Sequence, residues 1–287
     1  MQICRTRSGI RALRENWAGA DVILAPTMGF LHDGHLSLMR RARLRAGKEG
    51  RVIATIFVNP TQFGPGEDLE SYPRDEARDV ALLRAEGVDA VFIPDVREIY
   101  DPHAQTIVET QELAKILIGK LRPGHFRGVA TIVTKLFNII RPLAAVFGEK
   151  DFQQLAVIRT MVRDLDMGIE IIGVPIAREA DGLAMSSRNV RLSPADRAAA
   201  PILHAALAEA QALAATGITA SRLRSHVRAR LGSEPRAQVR SVDIRDAESL
   251  ASLSGPLSRP AVILLAVSFG SVLLIDNCIV HPAKETP

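Results

Sequence analysis

The sequence predicts an α/β fold: a parallel sheet with helices on both faces, followed by a smaller α+β domain. Three observations carry that expectation. Short apolar runs alternate with helical patterns through the first two thirds of the 287 residues. The runs are continuous in their apolar character, as strands buried on both faces require. Past roughly residue 180 the alternation gives way to an Ala-rich helical stretch and then to successive strand-like runs.

Taken in order, residues 22–25 (Val-Ile-Leu-Ala) form the first buried strand, ended by Pro26 and Gly29. Residues 52–58 form a second, ended by Asn59 and Pro60, and 90–93, 144–147 and 169–174 supply three more. Helical patterns over 36–46, 75–85, 129–140 and 152–165 separate them. Such β-α alternation defines a Rossmann-like, doubly wound sheet, here assigned to residues 1–176. In the remainder, 177–287, Ser193 and Pro194 make a helix start, as N-cap and first helical residue. One helix is expected from there to Ala215, stopped by Gly217, and a second over 221–231, ending at Gly232. Strands at 239–244, 262–267 and 272–275 complete an antiparallel sheet, and 252–258 is the one loose segment.

Composition narrows the class. Hydrophobic residues make up 47% and charged residues 24%, which excludes global disorder. Aromatics are only 4%, so the core is built from Ala, Val, Ile and Leu. The formal charge of +4 admits nucleic acid, a membrane surface or small anions as partners. Basic residues concentrate in 40–51 and 222–230, where the latter alternate with Leu223, Val227 and Leu231 at helical spacing. Both stretches read as solvated helix faces, and neither carries the interleaved aromatics of a single-strand groove. Nucleic acid is therefore not expected. Cys4 and Cys278 make neither a disulfide framework nor a metal spacing, which points to a reducing compartment. There is no apolar stretch of signal-peptide type at the start, and the longest apolar run, 260–274, is broken by Ser268, Gly270 and Ser271. A soluble, cytoplasmic protein with no membrane partner is expected.

Chemistry concentrates at strand ends. Residues 26–35 read Pro-Thr-Met-Gly-Phe-Leu-His-Asp-Gly-His, where the first strand gives way to a helix. A helix start offers unpaired N–H groups and a positive dipole end to phosphates. Gly29 and Gly34 permit close backbone approach. His32 and His35, three apart, can face the same way as phosphate donors, or can serve as helix caps or as half of a metal site. Gly148, Glu149, Lys150 and Asp151 occupy a second strand-to-helix junction. Lys150 suits a triphosphate as a point charge, and Asp151 suits a cap, a ribose or magnesium-bound water. Met185, Ser186, Ser187, Arg188 and Asn189 put two hydroxyls and a guanidinium in one short loop, either a phosphate clamp or a polar turn. Gln62 and Gln154 follow the second and fourth strands, and their amides suit a small acid bearing hydroxyls. With no nucleophile elbow and no Walker A sequence, positioning and charge stabilisation must do the catalysis.

These motifs resemble the pantoate–β-alanine ligase family of the nucleotidyltransferase superfamily. The likeness runs through PTMGFLHDGHLSLMRRAR, IFVNPTQFGPGEDLESYPRD, RPGHFRGVATIVTKLFNIIRP, FGEKDFQQLAVIRTMVRDL and GVPIAREADGLAMSSRN, in that order. It implies that residues 28–35 (Met28, Gly29, Phe30, Leu31, His32, Asp33, Gly34, His35) line an ATP site, with His35 assisting adenylyl transfer beside His32 and Lys150. It implies that Gly148, Glu149, Lys150, Asp151, Ala177, Met185, Ser186, Ser187 and Arg188 hold the nucleotide. Gln62 and Gln154 would hold pantoate, with Gln62 also near β-alanine; magnesium would accompany the triphosphate, through protein ligands that stay unassigned. The resemblance further implies a homodimer and a C-terminal domain acting as a lid. Two departures stand out: Ala177 where the family often has Val, and Val272-Leu273 where it often has Thr-Arg ahead of Leu-Ile-Asp-Asn.

Two other readings share some of these features. A plain nucleotidyltransferase would stop at adenylation and want a cationic acceptor pocket, which the Gln62/Gln154 pair does not suit. A non-catalytic nucleotide-binding module would need neither the glutamines nor Lys150, His32 and His35 together.

Overall fold

The computed structural model describes residues 1–282. The chain divides into two compact units, Met1–Glu149 with Gln154–Pro175, and Lys150–Gln153 with the chain from Ile176 onward.

The first unit is built on β1 (Gln2–Cys4), α1 (Arg7–Asn16), β2 (Val22–Thr27), α2 (Asp33–Ala46), β3 (Arg51–Ile56), α3 (Glu76–Ala85) and β4 (Ala90–Phe92). Two short helices, α4 (Val96–Ile99) and α5 (Ile118–Leu121), lead to α6 (His125–Ile140), β5 (Ala144–Gly148), α7 (Phe152–Asp164) and β6 (Glu170–Val174). The six strands pair in parallel in the order β1-β4-β3-β2-β5-β6. From β2 the chain winds outward through β3 and β4, then returns to lay β5 and β6 on the other side. The winding reverses between β2 and β5, and the crevice beyond the carboxyl ends of such a strand pair is where open α/β sheets bind ligands.

Alternate residues of each strand feed opposite layers. Val22 and Leu24 join a core with Ile10 and Leu13 of α1, Phe137 of α6 and Ile158 of α7. Ile23 and Ala25 join the other core, with Met39 and Ala42 of α2 and Leu83 of α3. This double burial explains why the strands read as unbroken apolar runs. Differences from the expected boundaries have local causes. β1 is three residues long, too short to show a period. Helix α6 starts at His125, four residues earlier than its apolar pattern, behind Gly124 in the left-handed conformation. The basic residues of α2 are only partly a solvated face: Arg40 pairs with Glu86, Arg43 with Asp89 and Arg45 with Glu170.

The second unit contains α8 (Pro194–Ala199), α9 (Ile202–Ala214), α10 (Ala220–Gly232), β7 (Gln238–Asp246), β8 (Ala261–Phe269) and β9 (Val272–Val280). The strands form an antiparallel sheet in the order β7-β8-β9. Leu203 and Leu207 of α9 and Leu223, Val227 and Leu231 of α10 pack on Ile263, Leu265 and Val267 of β8. Ser193 caps α8 as expected, its hydroxyl accepting from Asp196 N–H at 3.1 Å. The single helix expected up to Ala215 is instead two, interrupted at Pro201, whose ring and missing N–H cannot continue the first. β9 runs five residues past its expected end, because Asp276 and Asn277 hide it from an apolar count. Cys4 and Cys278 are free thiols, and burial pushes Cys278 up to about 12. Among the described residues no helix is long and apolar enough to cross a membrane.

Candidate active site

The turn leaving β2 is bent by two consecutive residues in the left-handed region, Gly29 at φ 83° and Phe30 at φ 51°. A side chain at Gly29 would meet Ile56 Cγ2 at 2.9 Å, so the small residue is demanded by the protein's own packing. Phe30 has a Cβ and is strained there by roughly 1–2 kcal/mol. The compensating contact is Asp79 of α3, whose side chain is 1% exposed. Its two oxygens accept from the backbone N–H groups of Phe30 and Leu31, each at 2.7 Å. Arg78 completes the grip, donating to Leu31 C=O at 2.8 Å and covering the Phe30 ring at 5.8 Å. Burial raises the Asp79 carboxyl above its ordinary range, outweighing the two backbone hydrogen bonds that lower it.

This turn delivers the chain to the start of α2, where His32 and His35 cap each other. His32 Nδ1 accepts from Gly34 N–H at 3.2 Å, and His35 Nδ1 accepts from His32 N–H at 3.3 Å. The two rings lie 4.1 Å apart, tilted by 41°. The arrangement is a capping box with imidazoles in place of the usual Ser and Glu. A ring nitrogen that accepts a hydrogen bond carries no proton, so in the neutral form each ring bears its hydrogen on Nε2. Capping, one of the alternatives for the sequence, is thus the role of Nδ1 in both rings, and it does not conflict with a donor role for Nε2. Asp33 and Gly34 form the first turn of α2, where an acidic residue complements the helix dipole.

Gln62 ends a single helical turn, Pro60–Gln62, directly after β3 and is buried. Its Nε2 lies 2.9 Å from Met28 Sδ, which brings these two expected site residues into contact. Its Oε1 accepts from Asn59 Nδ2 at 3.2 Å, and Asn59 in turn accepts from Tyr100 Oη at 2.8 Å. The Gln62 carbonyl accepts from His125 Nδ1 at 2.9 Å and from Arg122 Nη2 at 3.4 Å. A carbonyl cannot donate, so His125 holds its proton on Nδ1, the opposite tautomer from His32 and His35. Arg122 also forks onto Glu67 at 2.9 and 2.5 Å and holds that carboxyl below its usual range. Helix α6 reaches this turn only because residue 128 is glycine: a Cβ there would overlap the Thr61 carbonyl. Gln154 lies on another element, half-buried in the first turn of α7. Gly148 closes β5, and Glu149 opens the turn that follows.

The remaining residues belong to the second unit. Lys150 contributes its carbonyl to Asn277 Nδ2 at 2.9 Å, and Asp151 is exposed. Ala177 C=O accepts from Met185 N–H at 2.9 Å, and Arg178 bridges to Ala184 beside them. Arg178 pairs with both oxygens of Asp276, at 2.7 and 3.0 Å, and donates to Gly182 C=O at 3.1 Å. After Met185 the chain turns, with Ser186 Oγ accepting from Arg188 N–H at 3.2 Å and Ser187 buried. Asn189 Nδ2 ties the turn back to Ala184 C=O at 3.1 Å. Among the described residues no group of three or more His, Cys, Asp or Glu side chains is arranged to hold a metal.

Several residues went unassigned from the sequence. Asn59 reads there only as a strand stop, Asp79 falls unremarked within the helical pattern over 75–85, and Arg122, His125 and Gly128 appear as parts of a motif without roles. The one available signal was the Arg-Pro-Gly-His run ahead of an apolar helix, a dense polar cluster at a helix start.

A Rossmann-like sheet with a polar strand–helix turn on each side of its switch point defines a nucleotide-site architecture. Comparison with known proteins makes the assignment particular. The model of the pantoate-beta-alanine ligase family matches residues 2–279. The pantothenate synthetase of Solidesulfovibrio magneticus is 50% identical over 281 residues, covering 96% of this chain and 97% of that protein. That of Roseiflexus castenholzii is 52% identical over 282 residues, covering 98% and 100%. The crystal structure of pantothenate synthetase from Thermus thermophilus superposes with a TM-score of 0.92 at 43% identity, covering 98% and 100%. A pantoate-beta-alanine ligase from Francisella tularensis, complexed with beta-gamma ATP and beta-alanine, gives 0.79 at 32% identity, covering 100% and 99%. The chain belongs to the pantoate–β-alanine ligase family.

Proposed function

We propose that this chain joins pantoate to β-alanine at the expense of ATP, through a pantoyl-adenylate. The observation that carries the reading is the reciprocal His32/His35 cap, which presents two Nε2–H donors at the helix start following β2. A carboxylate is a poor acyl donor because oxide is a poor leaving group. In this reading the pantoate carboxylate attacks the α-phosphorus of ATP; a carboxyl O–P bond forms and the bond to the β-phosphate bridging oxygen breaks. Charge grows on the phosphate oxygens and the departing pyrophosphate. His32, His35, Lys150, Ser187 and Arg188 supply donors for it. Met28, Gly29, Phe30, Leu31, Asp33, Gly34, Gly148, Glu149, Asp151, Ala177, Met185 and Ser186 complete the nucleotide site.

Gln62 and Gln154 hold pantoate through amides able to donate and accept, and Gln62 also meets β-alanine. The β-alanine amine then attacks the acyl carbon, AMP leaves with the oxygen, and the amine sheds a proton; proximity does most of this work. Magnesium arrives on the triphosphate, since it keeps several waters and binds largely through substrate phosphates. The proposal includes a homodimer, as the family resemblance implies. Isotope exchange between pyrophosphate and ATP tests the order of events. Exchange should need pantoate and magnesium and proceed without β-alanine. Exchange that demands β-alanine as well would replace this scheme with a concerted three-component reaction.

A further inference from the structure

The middle of β9 holds a pair of residues that core packing does not explain. Asp276 and Asn277 are buried, 2% and 4% exposed, and their ladder neighbours on β8 are Leu265 and Leu264. A carboxylate and an amide at adjacent buried strand positions are costly unless each is fully partnered. Both are partnered, and each partner lies on a different arm of the proposed nucleotide site. Asp276 takes the Arg178 guanidinium with both oxygens, at 2.7 and 3.0 Å. Arg178 in turn holds Gly182 C=O, closing the arm in which Ala177 pairs with Met185. Asn277 donates from Nδ2 to the Lys150 carbonyl at 2.9 Å, a contact 127 residues apart in the chain.

We infer that Asp276 and Asn277 are positioning residues for the nucleotide site, acting through the main chains of Lys150 and of the arm from Ala177 to Met185. The inference rests on the proposed role of Lys150 at the triphosphate. A lysine ammonium rides on four flexible carbons. Where it can reach is set by where its own backbone is fixed, and Asn277 fixes it.

The test compares Asn277→Ala, Lys150→Ala and the double variant in pyrophosphate–ATP exchange, with KM for pantoate measured for each. Asn277→Ala should lower the exchange rate constant by roughly 10–100-fold, about 1.4–2.7 kcal/mol at 1.36 kcal/mol per decade, and leave KM for pantoate unchanged. Lys150→Ala should be slower still, and the double variant no slower than Lys150→Ala, because Asn277 has nothing left to position. Asn277→Asp, which keeps the volume and turns the donor into an acceptor, should match Asn277→Ala. If the losses multiply in the double variant, Asn277 does not act through Lys150 and the inference is overturned. It is overturned as well if Asn277→Ala and Asn277→Asp run at the native rate, or if both raise KM for pantoate or lose their melting transition, since the residue is then structural only. Should Lys150→Ala itself exchange at the native rate, the reading of Lys150 fails, whatever the Asn277 variants do.

Discussion

The turn that leaves β2 and the arm that runs from Ala177 to Met185 are each held by a buried aspartate, yet the holding differs in kind. Asp79 grips main-chain N–H groups directly, at sequence separations of 48 and 49. Burial raises its carboxyl because two neutral donors and the nearby Arg78 do not offset the lost hydration. Asp276 instead grips a guanidinium in a bidentate pair, 98 residues away along the chain. The first arrangement fixes a backbone shape, the strained Gly29–Phe30 turn. The second fixes one side chain, which then fixes a backbone. Direct backbone capture tolerates a neutral replacement better, since an amide can still accept a hydrogen bond. A buried ion pair leaves an unmatched charge when half of it is removed.

That contrast can be broken by substitution. Asp276→Ala should cost about 3–5 kcal/mol of unfolding free energy, because Arg178 keeps its charge in a site built around a partner. Asp79→Asn should cost no more than about 1–3 kcal/mol, for one poorly satisfied N–H. Urea unfolding of both variants separates the two cases; equal losses would erase the distinction. Next in size is His35→Ala, expected to slow adenylate formation by roughly 10²–10³ through loss of one preorganised donor, with His32→Ala losing somewhat less. His35→Gln sharpens the point, since Gln at this helix position restores the cap. It should recover the stability of His35→Ala in a melting experiment and recover none of the single-turnover rate. A recovered rate would reduce His35 to a cap.

Gln62→Ala comes third, with pantoate binding weakened by about 1–3 kcal/mol for an unpaired polar contact. ATP binding should hardly change, and calorimetry showing equal losses for both ligands would remove Gln62 from the acid's pocket. The smallest effect belongs to Glu67→Gln. The Arg122 guanidinium lowers the Glu67 carboxyl in the folded state. A lowered acid stabilises the fold above its unfolded value, about 4.3, and that contribution disappears as pH falls through the folded value. The variant should thus be less stable than the native chain by at most about 1 kcal/mol at pH 7. The two should converge as pH falls through the folded value, which lies below the unfolded one. A gap that widens on acidification would contradict the pairing.

How far the sequence could be read follows the same divide between near and far. The strands around β2 announced themselves because each is buried on both faces and so apolar throughout. The Ser193 cap was legible because a cap is decided by neighbouring residues. The break at Pro201 could have been found by the same local logic, but the Ala-rich pattern around it outweighed one proline. Asp79 was not legible: nothing in its helix says that its carboxylate meets Phe30 and Leu31. Arg178, Asp276 and Asn277 were hidden more deeply, because their partners are distant in the chain and the two polar residues end the apolar pattern of β9 early. Of the candidate site, the residues at strand ends were visible and those that hold them in place were not.

The bond from Asn277 to Lys150 also bears on how the protein comes into being. A chain leaves the ribosome from its N-terminus, and domains generally fold as they emerge. The six parallel strands are all available once β6 has been made, so the first sheet can close early. Lys150 is synthesised within that stretch but is grouped with the unit whose last strand, β9, runs only to Val280. Its anchor, Asn277, is made 127 residues later. A nascent chain can hold a finished first sheet and still lack the contact that fixes Lys150, so the positioning inferred for this lysine should be acquired only once β9 has been made.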